Sequence, residues 1–236
     1  MMPSTSDPGR LDPARSDFEA FARLMNCRST CRSYRKRAAD RELIGSTVRM
    51  ASRREPWCNM QSWRLVVTET AHCTESFGQA LTAWGVEHPD ADSDLPFPPD
   101  YDGVYAQSRR GAGMALYGAP GIVRENTALR NAQSFENVRL FDAPQMAIVT
   151  VSDKLGPYAA VDAGGLVASF LLSAHAHGVA TIPQAALARY ARSRYFDIST
   201  DQRMVCGISF GYAAGHHLAS HFRTSRPPLD ELLRFA

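Results

Sequence analysis

Apolar residues in this chain recur at two spacings, and the alternation between them sketches the order of elements. Phe18, Phe21, Ala22, Leu24 and Met25 fall near helical spacing and predict a first amphipathic helix over about 17–25. Leu43, Ile44, Val48 and Ala51 mark one face of a second helix, with Asp40 as its N-cap and an end near Ser52. Residues 64–70, with a Leu-Val-Val centre, read as a buried strand, and short helices are predicted over 74–84 and 104–116. Residues 145–151 read as a second strand, introduced by Phe141-Asp142-Ala143-Pro144. The longest helix, 161–178, is apolar almost all round, with Asp162 near its positive end and Gly178 as its stop. After it, 179–182 is short and extended, 184–191 helical, and 204–210 a third strand.

Two regions break the pattern. The stretch GVEHPDADSDLPFPPDYDG, from Gly85, is rich in Pro and Asp and sustains neither helix nor ladder. With the polar span 124–140, rich in Arg and Asn, it forms an expected loop or lid excursion over 85–140. The first residues, 1–14, read as a loose arm, and 15–236 as one domain, whose apolar long helix calls for a second subunit as well as its own sheet. The tail, 213–236, has few core residues and is expected to pack on that partner.

Composition narrows the classes. The chain has 236 residues, 44% of them apolar, which is enough for a substantial core in one domain. Its net charge of +2 comes from 26 basic residues scattered among 24 acidic ones, so neither nucleic acid nor an anionic membrane is indicated as a partner. Five cysteines, Cys27, Cys31, Cys58, Cys73 and Cys206, have no disulfide-framework spacing and indicate a reduced, cytoplasmic protein. Cys27 and Cys31 have no matching Cys or His pair, so no metal site is expected. The most apolar helix carries Asp162, two glycines and two histidines, which suits a buried helix better than a membrane span.

The candidate chemistry begins at Arg28-Ser29-Thr30-Cys31-Arg32-Ser33-Tyr34, where two guanidiniums stand four residues apart with hydroxyls beside them. In an extended segment Arg28, Thr30 and Arg32 project to one side, where Arg forks and a hydroxyl suit a phosphate. The other reading is a solvated basic loop continuing into Arg35-Lys36-Arg37. Some thirty residues on, Pro56-Trp57-Cys58-Asn59-Met60-Gln61-Ser62-Trp63 makes a polar, aromatic turn into a strand.

Set in order, RSTCRSY, the helix-like segment after it and the PWCNMQSW turn resemble the nitroreductase family of FMN flavoproteins. The usual opening of that family reads RRSxRxF, then helix, then PSWCNTQPWxxxV. VDAGGLVASFLLSAHAHGVATIPQAAL is similar to its central helix and flavin-contacting turn, and MVCGISFGY with FRTSRPPLDELLRF to its last core strand and arginine-bearing tail. The resemblance covers about residues 20–236. It implies an α+β nitroreductase-like fold, a central mostly antiparallel sheet flanked by helices, in an intertwined homodimer with FMN at the subunit interface. Electrons would come from NADPH or NADH and pass to a nitroaromatic, quinone or similar acceptor in a ping-pong cycle. No GxGxxG fingerprint follows a strand, so the nicotinamide donor would dock transiently on the flavin.

Carried over residue by residue, the resemblance assigns Arg28, Ser29, Thr30, Arg32, Arg223 and Arg226 to the flavin phosphate. It places Arg109 near the ribityl chain or ring, against the alternative of a surface salt bridge. Pro56, Trp57 and Asn59 of the turn would contact the cofactor, Asn59 donating to the isoalloxazine, with an Asx turn as its alternative. Pro183 would fix the chain where Gln184 and Ala185 bring a backbone amide to the hydride-accepting nitrogen. Trp57 and Trp63 read as core or dimer-contact aromatics more than as flavin stackers. No side chain is required as acid or base, and the histidines read as structural or solvated.

The chain departs from the family at Glu55-Pro56, where Pro-Ser is usual, and at Ser62, where the motif has Pro. A missing serine hydroxyl costs about 1 kcal/mol of flavin binding. Two alternatives follow: a specialised flavin enzyme of the same fold, such as a reductive dehalogenase or a flavin-destroying benzimidazole synthase, or a flavin-binding protein without catalysis.

Overall fold

A four-stranded antiparallel sheet in the order β1-β2-β4-β3 organises the molecule. Its strands are β1 (Trp63–Val67), β2 (Gln145–Ser152), β3 (Ala180–Gln184) and β4 (Gln202–Gly211). The computed structural model describes residues 13–88, 93–123, 125–190, 198–215 and 223–236. Most of the expected N-terminal arm and the pair His216 and His217 lie outside these residues. The helices are α1 (Pro13–Cys27), α2 (Arg41–Ala51), α3 (Ala71–Glu87), α4 (Gly103–Gly118), α5 (Thr127–Phe135), α6 (Gly156–Ala176) and a short α7 (Leu229–Leu232).

The sheet separates two apolar layers because β2 alternates its side chains. Ala147, Val149 and Val151 face α6, whose Ala163, Leu166 and Phe170 fill that layer with Trp63 and Phe210. Met146 and Ile148 face the other way, onto Phe77 and Leu81 of α3 with Leu187 and Met204. Both faces of β2 are therefore buried, which is why its sequence reads as a near-continuous apolar run. The register pairs Leu65 with Val149, and Ile148 with Gly207. A Cβ on Gly207 would stand 2.5 Å from Leu187 Cδ1, so the sheet meets the 185–190 turn at a distance only glycine permits.

α6 packs on α2 and across β1, β2 and β3, which makes it a core helix although its length and composition alone would allow a membrane span. It ends at Gly178 (φ +74), whose neighbour Val179 donates back to the carbonyl of Ala174 at 2.9 Å. α2 is capped as expected, the Asp40 carboxylate accepting from the amide of Leu43 at 2.8 Å. Three expectations change. Residues 127–135 of the unassigned polar span form a helix, capped by Asn126 accepting from the Leu129 amide. Gln184 closes β3 and does not open the following helix, and Pro183 before it is tolerated because β3 is an edge strand where no ladder donor is needed. The turn after it, Ala185–Tyr190, is a 3-10 helix.

Burial also sorts the cysteines. Cys206 lies in the core on β4, and burial pushes its thiol from an ordinary 9.0 up to about 12. Alkylation at pH 8 is expected to modify the exposed Cys58 and Cys73 quickly and to reach Cys206 only after unfolding; rapid native modification of Cys206 would contradict this burial. The sign of the linkage follows. The protonated thiol favours the folded state in full below pH 9, and that contribution is withdrawn between about 9 and 12. Tyr34, whose phenol burial also raises well above its usual value, adds to the same alkaline loss.

Candidate functional site

The Arg28–Tyr34 segment leaves α1 and is stitched to strands far along the chain. Thr30 bridges Thr181 in parallel, Tyr34 bridges Ala213 antiparallel, and the Cys31 amide donates to the carbonyl of Thr181 at 3.0 Å. Arg35 N donates to Tyr212 O at 2.8 Å, and Ala214 N to Ser33 O at 3.0 Å. The buried Tyr34 hydroxyl reaches the carbonyls of Cys31 (3.1 Å) and Ser209 (3.2 Å). The Cys31 thiol donates to Ser33 O at 3.1 Å, so this cysteine serves the loop's own conformation. A loop fixed at this many points presents its side chains with little freedom left to lose on binding.

What it presents is cationic. Arg28, Ser29, Thr30 and Arg32 line one wall of a cavity of about 360 Å³, and Arg223 and Arg226 of the tail line another. Ala112, Gly113 and Leu116 of α4 close the third side with small side chains, and no carboxylate stands among the described lining residues. Arg32 is half-buried over the ring of Phe141, 5.9 Å from its centroid, and burial lowers its pKa below the ordinary arginine value. A guanidinium under that desolvation is stabilised by an incoming anion. Arg226 donates to the carbonyls of Thr224 and Ser225 and to the Thr224 hydroxyl, which turns the tail's guanidinium back on its own segment. An adjoining cavity of similar volume shares Arg28, Ser29 and Thr30 and runs back to His175 and Gly178. Four guanidiniums and the hydroxyls of Ser29, Thr30 and Thr224 around this cavity fit the phosphate of FMN by charge and donor type.

The turn at Pro56 is the second part of the site. Cys58, Asn59 and Gln61 all adopt positive φ (49, 52 and 46), which costs non-glycine residues free energy that neighbours must hold in place. Its grip comes from α6: both oxygens of Asp162 accept from the Trp57 amide, at 3.1 and 3.2 Å. Arg54 donates to the Asp162 carboxylate at 3.3 Å and to Glu55 O at 2.6 Å. Asn59 is exposed and accepts from Gln61 Nε2 at 3.0 Å, and Pro56 leads into the turn from an extended conformation. Trp63 is core, as expected, but Trp57 is not: it is 52% exposed and rests on Tyr158 of α6 with ring centroids 4.7 Å apart. The carboxylate side chain of Glu55 is exposed.

Other residues fall differently. Arg109 is exposed on α4, its guanidinium 4.8 Å from the Tyr101 ring centroid and outside the cavity lining, although Ala112, Gly113 and Leu116 continue its helical face. The Gln184 side chain is buried, donating to Asn137 O at 2.8 Å and accepting from Ser209 Oγ at 2.5 Å. Its amide group therefore ties β3 to β4 and to the segment after α5, while Pro183 and Ala185 beside it are exposed. Asp162 and Arg54 were not among the residues picked from the sequence. The available signal was one aspartate in an otherwise apolar helix, six residues after its start.

Comparison with known proteins joins these parts. The model of the nitroreductase family matches residues 26–212. The chain is 29% identical to the nitroreductase NfnB of Mycolicibacterium smegmatis, with 92% of this chain and 93% of that protein covered. It is 30% identical to a 4-nitrobenzoate reductase of a Nocardioides species, covering 92% and 90%. Among solved structures, the FMN-dependent NfnB from Mycobacterium smegmatis, in complex with NADPH, superposes with a TM-score of 0.87 at 27% identity, over 93% of this chain and 99% of that one. A loop of hydroxyls and guanidiniums pinned to β3, a strained polar turn held by the central helix, and this shared architecture place the chain in the nitroreductase family.

Proposed function

We propose that the protein is an FMN-dependent oxidoreductase that passes electrons from NADPH or NADH to nitroaromatic or similarly electron-poor acceptors, quinones included, in a ping-pong cycle. The observation that carries this reading is the convergence of Arg28, Ser29, Thr30, Arg32, Arg223 and Arg226 on one cavity in a chain of this family. The relatives at 29% and 30% identity are a nitroreductase and a 4-nitrobenzoate reductase, which supports a nitroaromatic as the acceptor class.

When bound, FMN would supply two-electron redox chemistry between the nicotinamide donor and the acceptor. The chain's part is to hold and orient. The arginines and hydroxyls neutralise the phosphate. Asn59 would offer an amide to the flavin from the exposed strained turn, and a backbone N–H at Gln184 or Ala185 would serve as the fixed donor that favours developing charge. Because Gln184's side chain is spent on Asn137 and Ser209, only its backbone is available for that role.

The working unit in this reading is a cytoplasmic homodimer. Residues 223–236 are exposed throughout, including Leu229, Leu232, Leu233 and Phe235, and α4 has no buried residue. Apolar surface of that kind is covered by a second copy.

The test is the visible absorption spectrum of the purified protein. A flavin band is expected, bleaching on anaerobic addition of NADPH or NADH and returning when a nitroaromatic is added. A protein that shows no band, and none after incubation with FMN and removal of the excess, overturns the reading.

A further inference from the structure

The strained turn at Pro56 is held by three groups that belong to no recognised flavin contact. Asp162 is 5% exposed, and its carboxylate receives the Trp57 amide on both oxygens and Arg54 Nη1 on one. Arg54 Nη1 also donates to the backbone carbonyl of Asp162, while Nη2 donates to Glu55 O, so one guanidinium spans the helix and the residue before the turn. The same guanidinium lies 5.7 Å from the centroid of Trp63, the first residue after the turn. Space for it exists because residue 165 is glycine: a Cβ there would stand 2.5 Å from Arg54 Cζ and 2.6 Å from Nε.

We propose that Asp162, Arg54 and Gly165 form a positioning clamp that holds the Pro56–Ser62 turn in its left-handed conformation, so that Asn59 is set for the flavin before the flavin arrives. The proposal rests on the FMN reading above. A buried carboxylate is retained on an apolar helix only when its bonds are satisfied, and here every recorded bond goes to the turn or to the arginine that spans it. The turn's other hydrogen bonds are short-range: Asn59 N to Pro56 O, Met60 N to Trp57 O, Gln61 Nε2 to Asn59 Oδ1, and Arg64 Nη1 of β1 to Gln61 O, so among the described residues only the clamp reaches it from a distant element. Without the clamp, Cys58, Asn59 and Gln61 are released from positive φ, and the flavin must reorder them on binding.

Gly165→Ala separates this role from simple stability. The added methyl meets the far end of a flexible side chain and expels the guanidinium, while alanine in a helix interior is intrinsically favoured over glycine. The expected result is a variant whose flavin-free thermal midpoint changes little, the helix gain offsetting part of the lost Arg54–Asp162 pairing, but whose FMN dissociation constant, measured by fluorescence titration, rises about tenfold. Asp162→Asn removes the carboxylate's second acceptor and its charge, leaving Arg54 uncompensated. It is expected to weaken FMN to a similar degree and to shift the flavin midpoint potential upward, since a net positive charge near the turn favours the reduced, more negative flavin.

Wild-type protein is titrated alongside. If it binds FMN and both variants bind it equally well with unchanged potential, the clamp proposal is overturned and the functional reading stands. If Gly165→Ala loses affinity only in proportion to a lowered thermal midpoint, the role is structural and the proposal also fails. If wild type itself takes up no FMN, the functional reading falls and the clamp's role toward flavin with it.

Discussion

Arg28→Ala is expected to weaken FMN binding by about ten- to a hundredfold, the range set by roughly 1.5–3 kcal/mol for a hydrogen bond to a charged group. Arg28 is chosen over the tail arginines because it is half-buried while Arg223 and Arg226 are exposed, so solvent screens its charge less. Its backbone amide continues α1 by donating to Leu24 O at 3.1 Å, which fixes where the side chain starts. Arg226 is exposed and already bonded to Thr224 and Ser225, so Arg226→Ala should cost several-fold less. The deficit at Arg28 should widen at low ionic strength, and Arg28→Lys should restore part of it, a point charge without the planar fork. Fluorescence titration of the flavin-free protein at two salt concentrations measures all of this. Wild-type affinity in Arg28→Ala would remove the loop from the phosphate site.

Phe170→Ala is expected to destabilise the protein by about 3–5 kcal/mol, a large part of the stability of an ordinary domain. Phe170 is 2% exposed at the centre of α6, meeting Phe210 of β4 edge to face with centroids 5.8 Å apart. Its ring fills the layer between the helix and the sheet, beside Leu166, Ala163 and Val149. Truncation removes both the transfer free energy and the aromatic contact, and the backbone of a central helix cannot collapse far into the void. Urea unfolding measures the loss, and a change below about 1 kcal/mol would mean that this layer is not tightly packed. Because α6 also carries Asp162, the variant should lose flavin affinity as well, but only together with stability.

The elements legible from the sequence were those whose pattern has one cause. Asp40 caps α2 by a local bond to Leu43, and β2 shows an unbroken apolar run because both of its faces are buried. The hydroxyl and guanidinium loop was legible as chemistry, since few other uses gather Arg, Ser, Thr and Arg within five residues. Less was legible where tertiary context decides. Gln184 looked like the start of a helix, yet pairing with Gly207 makes it the end of an edge strand. Gln184 was assigned to the flavin through its backbone amide; the bonds of its side chain to Asn137 and Ser209, 47 and 25 residues away, are encoded by no local pattern. Trp57 read as a core or dimer-contact aromatic, and of the two the core is excluded because a left-handed turn carries it out onto Tyr158. Arg54 and Asp162 stand 108 residues apart in sequence and become a unit only once α6 is seated.

The stitching of the Arg28–Tyr34 loop also bears on how the chain is made. Its partners are Thr181, Ser209 and Tyr212 to Ala214, so residues that leave the ribosome first wait for residues that leave near the end. β4, the strand between β2 and β3, is likewise the last of the sheet to be synthesised. Until it arrives, β2 and β3 share no neighbour and the loop has only Thr181 of β3 to lie against. Contacts spanning this much chain close late and slowly, so a nascent chain released before residue 202 would carry an intact arginine motif and no cradle for it to form.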